Sequence, residues 1–344
     1  MRVHWASLLS GTAVGFALQY VHLVLLSQRS FQQDDTTKAP YRQGILQTAW
    51  NRLKFGFSST FSFRDINLPT QVKNVPEFSK GLGQVPSRKG FILQQMITAI
   101  ICGLVLDISA IQSPPPDNAD IFAWENVPLL TGSHNMTGPK VILKLVTTLV
   151  YWVNMYCVMQ FVTSLFAIIA VGLNISYVAQ WRPLYGSPLE AYTLRRFWSV
   201  FWHQTLRQIL TDPASFICHR LFHLSHGNFT TRYVKILLTF AVSGTLHALA
   251  ELGAGLELQK SGTMRFFCTQ VVGIMLEDGI QAVYPYFSRR SNHVSQALWM
   301  RLVGYLWVLA FLAWSTPAWF YPNAARGVRE GFLPFSVVKG MLRV

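Results

Sequence analysis

His247 lies in the otherwise apolar run YVKILLTFAVSGTLHALAEL, residues 233–252, beside Ser243, Gly244 and Ala248. An imidazole titrates near neutral pH and is costly at bilayer depth, so at this position it marks a place where a proton is passed. The bland alternative is a histidine that satisfies a neighbouring helix. A second group of polar residues lies upstream in SPLEAYTLRRFWSVFWHQTLRQ, residues 187–208: Arg195, Arg196, Trp202, His203, Gln204 and Arg207. In one continuous helix Arg196, His203 and Arg207 fall near one face, because seven residues make about two turns and four make about one. Phe197, Trp198, Phe201 and Trp202 cover much of the rest. Such a helix suits either the headgroup interface or the wall of a polar tunnel. Three carboxylates inside apolar runs need partners. Glu251, one turn beyond His247, either orients its ring or marks the helix end. Glu277 and Asp278 each cost a few kcal/mol in hydrocarbon unless paired, and the expected partner is Arg265 or an arginine of the upstream helix. His219, His223 and His226 have no cysteine pattern and no nearby carboxylate except Asp212, so they read as an interfacial cluster and no metal is expected.

The elements that must hold these residues are membrane spans. The chain has 344 residues, of which 51% are hydrophobic and 13% charged, against about 25% charged in soluble domains. Apolar runs at residues 5–26, 91–111, 141–173, 233–252, 266–284 and 297–320 are each long enough to cross a ~30 Å hydrocarbon core. The fold class is therefore all-α and polytopic, with roughly six or seven spans plus interfacial helices, the uncertain count being whether 141–173 is one helix or two. No soluble domain of useful size remains, so residues 1–344 form a single integral membrane domain. The first run has one basic residue ahead of it, His22 within it and no small-residue cleavage site, which fits a retained anchor better than a signal peptide. The net charge of +14 is spread over loops rather than gathered in an aromatic-laced patch, so lipid headgroups are expected as partners and nucleic acid is not. The first connection is strongly basic and is placed in the cytosol; the second carries Asp117, Asp120 and Glu125 and is placed on the opposite side. The sequon at Asn135 lies in that second connection and is an expected glycosylation site, whereas those at Asn174 and Asn228 stay cytosolic. The basic tail, 326–343, fits an even number of spans poorly. Cys102, Cys157, Cys218 and Cys268 show neither metal-ligand spacing nor a disulfide framework.

Between the spans, residues 50–63 mix Arg52 and Lys54 with four phenylalanines and suit a surface helix or loop in the headgroup region, whereas 64–86 is broken by prolines and glycines. Ser187-Pro188-Leu189-Glu190 is a helix start with a capping box, and a helix is expected from Ala191 to about Leu210. Asp212-Pro213 repeats the signal and predicts a second helix toward His223.

The string RRFWSVFWHQ, followed some forty residues later by VSGTLHALAE, resembles the wax synthase-like branch of the membrane-bound O-acyltransferase superfamily. It is most similar to fungal members that acetylate terpenoid and meroterpenoid alcohols in secondary metabolism. Lys73-Asn74-Val75-Pro76 and Leu276-Glu277-Asp278 resemble further stretches of that branch, and the likeness covers about residues 52–320. Phe63-Arg64-Asp65-Ile66-Asn67 stands where an arginine- and glycine-rich turn is expected, so no role is assigned to Arg64.

The resemblance implies acyl transfer from acyl-CoA, with acetyl-CoA the favoured donor, to a hydroxyl of a hydrophobic acceptor. It implies His247 as general base and His203 as a donor to the thioester oxygen or an orienter of substrate. It further implies that Arg195, Arg196, Trp202, Gln204 and Arg207 meet the coenzyme A portion, with Ser243, Glu251, Glu277 and Asp278 in support. Acyl-CoA is then a co-substrate and no cofactor is bound tightly. The enzyme would be a multi-pass protein of the endoplasmic reticulum. No serine or cysteine other than Ser243 stands near the base, which favours direct transfer over an acyl-enzyme. Alternatives are a long-chain acyl-CoA:fatty alcohol wax ester synthase, an acyltransferase-like protein without activity, and a transporter, although repeated halves expected of many transporters are not apparent.

Overall fold

The structure, a computed structural model, describes residues 2–31, 45–78, 84–111, 122–123, 138–287, 293–327 and 331–342. Asn135, the prolines at 114–116 and the acidic residues of the second connection lie outside the described residues. Among the described residues all regular structure is helical.

Among the described residues, six helices are long and apolar enough to cross a membrane. The first is α1 (Val3–Tyr20), continued by a π-helical turn over Val21–Leu26. An amphipathic α2 (Ile45–Phe61) follows, exposing Trp50, Leu53, Phe57 and Phe61, with the Lys54 ammonium 5.3 Å from the Trp50 ring centroid. It suits the headgroup region, as its sequence implies. Spans two and three are α3 (Arg88–Ile111) and α4 (Gly138–Gly172). The latter is one helix of 35 residues, so residues 141–173 make one crossing. The connection between the third and fourth spans then carries α5 (Leu194–Arg196) with a π-helical extension Phe197–Phe201, and α6 (Arg207–Phe216) with another over Ile217–Leu221. Spans four, five and six are α7 (Phe229–Gly253), α8 (Thr263–Phe287) and α9 (His293–Ser315). The short α10 (Pro317–Ala324) and α11 (Val337–Leu342) end the described chain.

The sixth span stops short of the expected residue 320. Thr316 is followed by Pro317, which has no N–H to continue α9 and instead opens α10 at its first position. Crossing six times returns the tail to the side of Arg2. The Arg2 guanidinium donates to the carbonyls of Gly331 and Pro334, both at 3.0 Å, and Asp107 accepts from the N–H groups of Val337 and Val338 at 2.8 and 3.0 Å. Arg326 in turn donates to the Ala254 carbonyl at 2.7 Å. The first arginine of the basic tail therefore serves the fold rather than a headgroup.

Close helix contacts fix the site's frame. Gly304 of α9 lies so near the Tyr192 carbonyl that an added Cβ would overlap it, which pins the chain just ahead of α5. Gly304→Val is expected to lower stability by about 1–3 kcal/mol through overpacking. The decrease would be read as a lower melting midpoint in detergent, with transfer activity falling alongside; an unchanged midpoint would show that the backbones need not approach so closely.

Candidate active site

The upstream polar segment is not the single helix that its periodicity predicts. Ser187 does cap the start, its hydroxyl accepting from Leu189 N–H at 3.3 Å, but only a short 3-10 turn, Pro188–Glu190, follows. Thr193 then caps α5, accepting from Arg196 N–H at 3.0 Å. The chain widens into the π turn and leaves it at Trp202, which is extended with φ −65° and ψ 150°. Four bulky aromatics in six residues explain the break. Phe197 and Trp198 pack against α8 and α9 while Trp198 and Trp202 meet Trp152 of α4, and one narrow stripe of an α-helix cannot face both sides. Gln204 satisfies part of the interrupted backbone: its Nε2 donates to the Trp198 carbonyl at 3.0 Å and also to that of Trp202. Arg196, His203 and Arg207 therefore do not share a helix face. The second predicted start is also displaced, since α6 begins at Arg207 and contains Pro213. Asp212 pairs with buried His22 of the first span at 2.7 Å instead of capping a helix.

The break turns His203 inward. Its ring packs against Trp202, with centroids 5.5 Å apart, and against Tyr185 at 6.0 Å. The Nδ1 atom is sealed and unpartnered. Burial, followed by the charges of His247 and Arg64, pushes its pKa down to about 3. His203 is thus neutral at physiological pH. A sealed N–H without an acceptor is rarer in proteins than a sealed acceptor, so the proton belongs on Nε2 and Nε2–H points away from the sealed side.

His247 comes from α7, beside Ser243 and Gly244, both buried. Gly244 permits the close approach of Met264, whose Sδ would lie 3.0 Å from an added Cβ. The imidazole stacks on Phe267 at 4.9 Å with planes 7° apart and meets the Trp319 edge at 5.1 Å. Among the described residues no hydrogen bond reaches either ring nitrogen, and neither is among the sealed atoms. Both histidines are half-buried. A run of touching rings joins them: His203, Trp202, Trp152, Trp319 and His247, with successive centroids 5.5, 4.9, 6.4 and 5.1 Å apart.

Buried carboxylates hold this aromatic frame. Glu277 accepts from the backbone N–H groups of Leu194 and Arg195 and from Trp307 Nε1 at 2.9 Å, so it anchors the start of α5. Asp278 accepts from Arg195 Nε at 3.2 Å, Arg232 at 3.2 Å and the Tyr233 hydroxyl at 2.6 Å. The expected arginine of the upstream segment is thus the partner, together with Arg232, and not Arg265. Glu251 makes no bond to His247. It accepts from Ser261 at 2.6 Å, Thr263 at 2.7 Å and Asn323 at 2.7 Å, which ties α7 to α8 and α10. Asn323 lies in the same short helix as Trp319, the ring against His247. Among the described residues no cluster of three potential metal ligands occurs. His219 and His226 stack at 3.7 Å in the connection between the third and fourth spans.

The arginines assigned to coenzyme A have partners inside the protein. Arg195 is held by Asp278, Arg196 by Glu190 and across the Tyr192 ring at 4.8 Å, and Arg207 by the Ser199 carbonyl at 3.1 Å and Gln204 Oε1 at 2.9 Å. Arg64, to which the sequence assigned nothing, reaches the site. Its guanidinium donates to the carbonyls of Arg182 and Pro183, both at 2.7 Å, three and two residues before Tyr185. Its pKa falls to about 10 through burial and the nearby Arg182, and its charge acts on His203. Tyr185, likewise missed, stacks on Tyr156 at 4.1 Å and packs on Trp202 and His203. Neither carries a helical or motif signal, because each comes from irregular chain whose placement depends on distant carbonyls and rings.

A polytopic helical membrane protein with two histidines joined by a run of touching aromatic rings fits an intramembrane group-transfer enzyme. The model of the Membrane bound O-acyl transferase family matches residues 181–269, the stretch that supplies both histidines. Across almost the whole chain, 34% identity over 336 residues links it to Acetyltransferase aurG of Calcarisporium arbuscula, covering 92% of this chain and 79% of the relative. Acetyltransferase fsoF of Humicola fuscoatra is 30% identical over 95% of this chain and 85% of its own length, and Acetyltransferase ataH of Aspergillus terreus 35% identical over 76% and 86%. The chain belongs to the membrane-bound O-acyltransferase family and is an acyltransferase using an acyl-CoA-type co-substrate. No solved structure matches it.

Proposed function

We propose that the enzyme moves an acetyl group from acetyl-CoA to a hydroxyl of a hydrophobic terpenoid or meroterpenoid acceptor during secondary-metabolite biosynthesis, in the endoplasmic reticulum membrane. The observation that carries this reading is the pair of imidazoles, His203 and His247, joined through the touching rings of Trp202, Trp152 and Trp319. Curated relatives described as acetyltransferases support the acyl group. His247 takes the alcohol proton as the oxygen attacks the thioester carbonyl. His203 donates Nε2–H to the developing oxyanion, which is the role suited to an imidazole that stays neutral. Collapse of the intermediate expels coenzyme A as the thiolate, and the His247 imidazolium returns the proton to its sulfur. The acceptor reaches His247 among Phe267, Trp319 and Trp152. Acyl-CoA approaches from the cytosolic side, where Arg196 and Arg207 are half-buried and can share their guanidinium donors with phosphate. Arg195, committed to Asp278, holds the segment in place.

Membranes carrying the protein are incubated with labelled acetyl-CoA and a panel of terpenoid and fatty alcohols. The expected result is an acetyl ester of a terpenoid alcohol, formed by the wild type and not by membranes without it. A wax ester from long-chain acyl-CoA would replace the acetyl reading, and coenzyme A binding without consumption of any acyl-CoA would overturn catalysis altogether.

A further inference from the structure

Polar hydrogens that reach the interior of the site are few. Trp152 donates its indole N–H to Thr316 Oγ1 at 3.0 Å, Trp198 to Gln270 Oε1 at 3.3 Å and Trp307 to Glu277 at 2.9 Å. Each of these indoles is committed to the protein. Trp202 differs. Among the described residues its Nε1–H has no acceptor, the residue is half-buried, and Nε1 is not among the sealed atoms. A buried or half-buried indole N–H normally finds a partner. This one lies on the residue next to His203, in a ring seated between His203 and Trp152.

The ring is rigidly held. Phe197 stacks on it at 5.7 Å with planes 16° apart, Trp152 meets it edge-on at 4.9 Å, and Tyr185 packs at 5.2 Å. Its backbone carbonyl is held by Gln204. The donor is therefore fixed before substrate arrives, which is the condition under which a hydrogen bond to developing charge contributes most to rate. Indole is also donor-only and uncharged, so it cannot compete with His247 for the alcohol proton.

We propose that Trp202 is a catalytic residue whose Nε1–H, together with His203 Nε2–H, binds the thioester carbonyl oxygen as it becomes an oxyanion. The inference rests on the acyl-transfer reading above and refines the part given to Trp202, which is a donor to the reacting carbonyl rather than a surface for the coenzyme. A tetrahedral oxyanion has room for two donors, and the rings of Trp202 and His203, with centroids 5.5 Å apart, supply them.

The test compares steady-state transfer from acetyl-CoA by the wild type, Trp202→Phe, and protein carrying benzothienylalanine at 202, in which sulfur replaces N–H in a ring of nearly the same shape. Wild-type turnover establishes that the reaction is observable at all; without it the functional reading fails and not this assignment. Given turnover, Trp202→Phe and the sulfur isostere are each expected to lose about 10²-fold in kcat, with KM for acetyl-CoA within about twofold. S-ethyl-CoA, which has the thioether but no carbonyl, is expected to inhibit all three proteins equally. Full activity of the isostere overturns the proposal even where phenylalanine fails to fold. A rise in KM and in the S-ethyl-CoA inhibition constant with kcat unchanged would also overturn it, because the ring would then serve only to pack against coenzyme A.

Discussion

His247→Ala is expected to reduce acyl transfer by about 10²- to 10⁴-fold, the usual contribution of a general base, and KM for the acyl donor should move little. The ring nitrogens bond to no described residue, so removing them breaks no hydrogen bond of the fold. What is lost structurally is ring packing on Phe267 and Trp319. His247→Phe separates the two effects, since it keeps an aromatic ring but offers no lone pair, and it should be as inactive as alanine while melting near the wild type. Free imidazole added to the alanine variant should recover part of the rate by occupying the vacated space and taking the alcohol proton. Wild-type turnover by His247→Ala would sink the base assignment and with it the direction of proton flow.

The spans and the two histidine-bearing stretches were legible in the sequence for simple reasons. Helices that cross hydrocarbon must be apolar for about 20 residues, and a histidine within one stands out against that background. What hid was the conformation of residues 191–210. Arg196, His203 and Arg207 have helical spacing, yet Trp202 is extended, because burying Phe197, Trp198 and Trp202 against three helices outweighs a few backbone hydrogen bonds that Gln204 partly restores. The partners of Glu277 and Asp278 were half legible: an arginine of the upstream segment was expected, but two backbone N–H groups and Trp307 are equally part of the answer. Glu251 is instructive in the same way. Its place one turn from His247 suggests a direct bond, whereas three donors, from α8, α10 and the connection between α7 and α8, occupy it. Sequence separation along one helix is local information, and the competing donors come from elements that spacing cannot see. Arg64 and Tyr185 were invisible because irregular chain offers no period to read.

His203 provides the sharpest separation between a donor and a second base. His203→Ala is expected to lose about 10²- to 10³-fold in kcat, the cost of removing one oxyanion donor. His203→Asn keeps an N–H and should recover much of that loss. Equal loss in both variants would mean that the imidazole acts as a base and not as a donor. The pH dependence argues the same point. With its pKa lowered from 6.5 to about 3 in the folded protein, His203 remains a neutral donor across the working range, so an acid limb in the rate belongs to another group. Stability carries the complementary sign. Between about pH 6.5 and 3 the unfolded chain binds a proton at this residue that the folded protein refuses, so His203 makes folding less favourable as pH falls through that window and contributes no slope above it. His203→Asn removes the titrating group, and its melting midpoint should therefore decline less steeply than the wild type's from pH 6.5 to 4. Parallel declines would place the ring in solvent rather than in the interior, and a solvated imidazole could not serve as a preorganised donor.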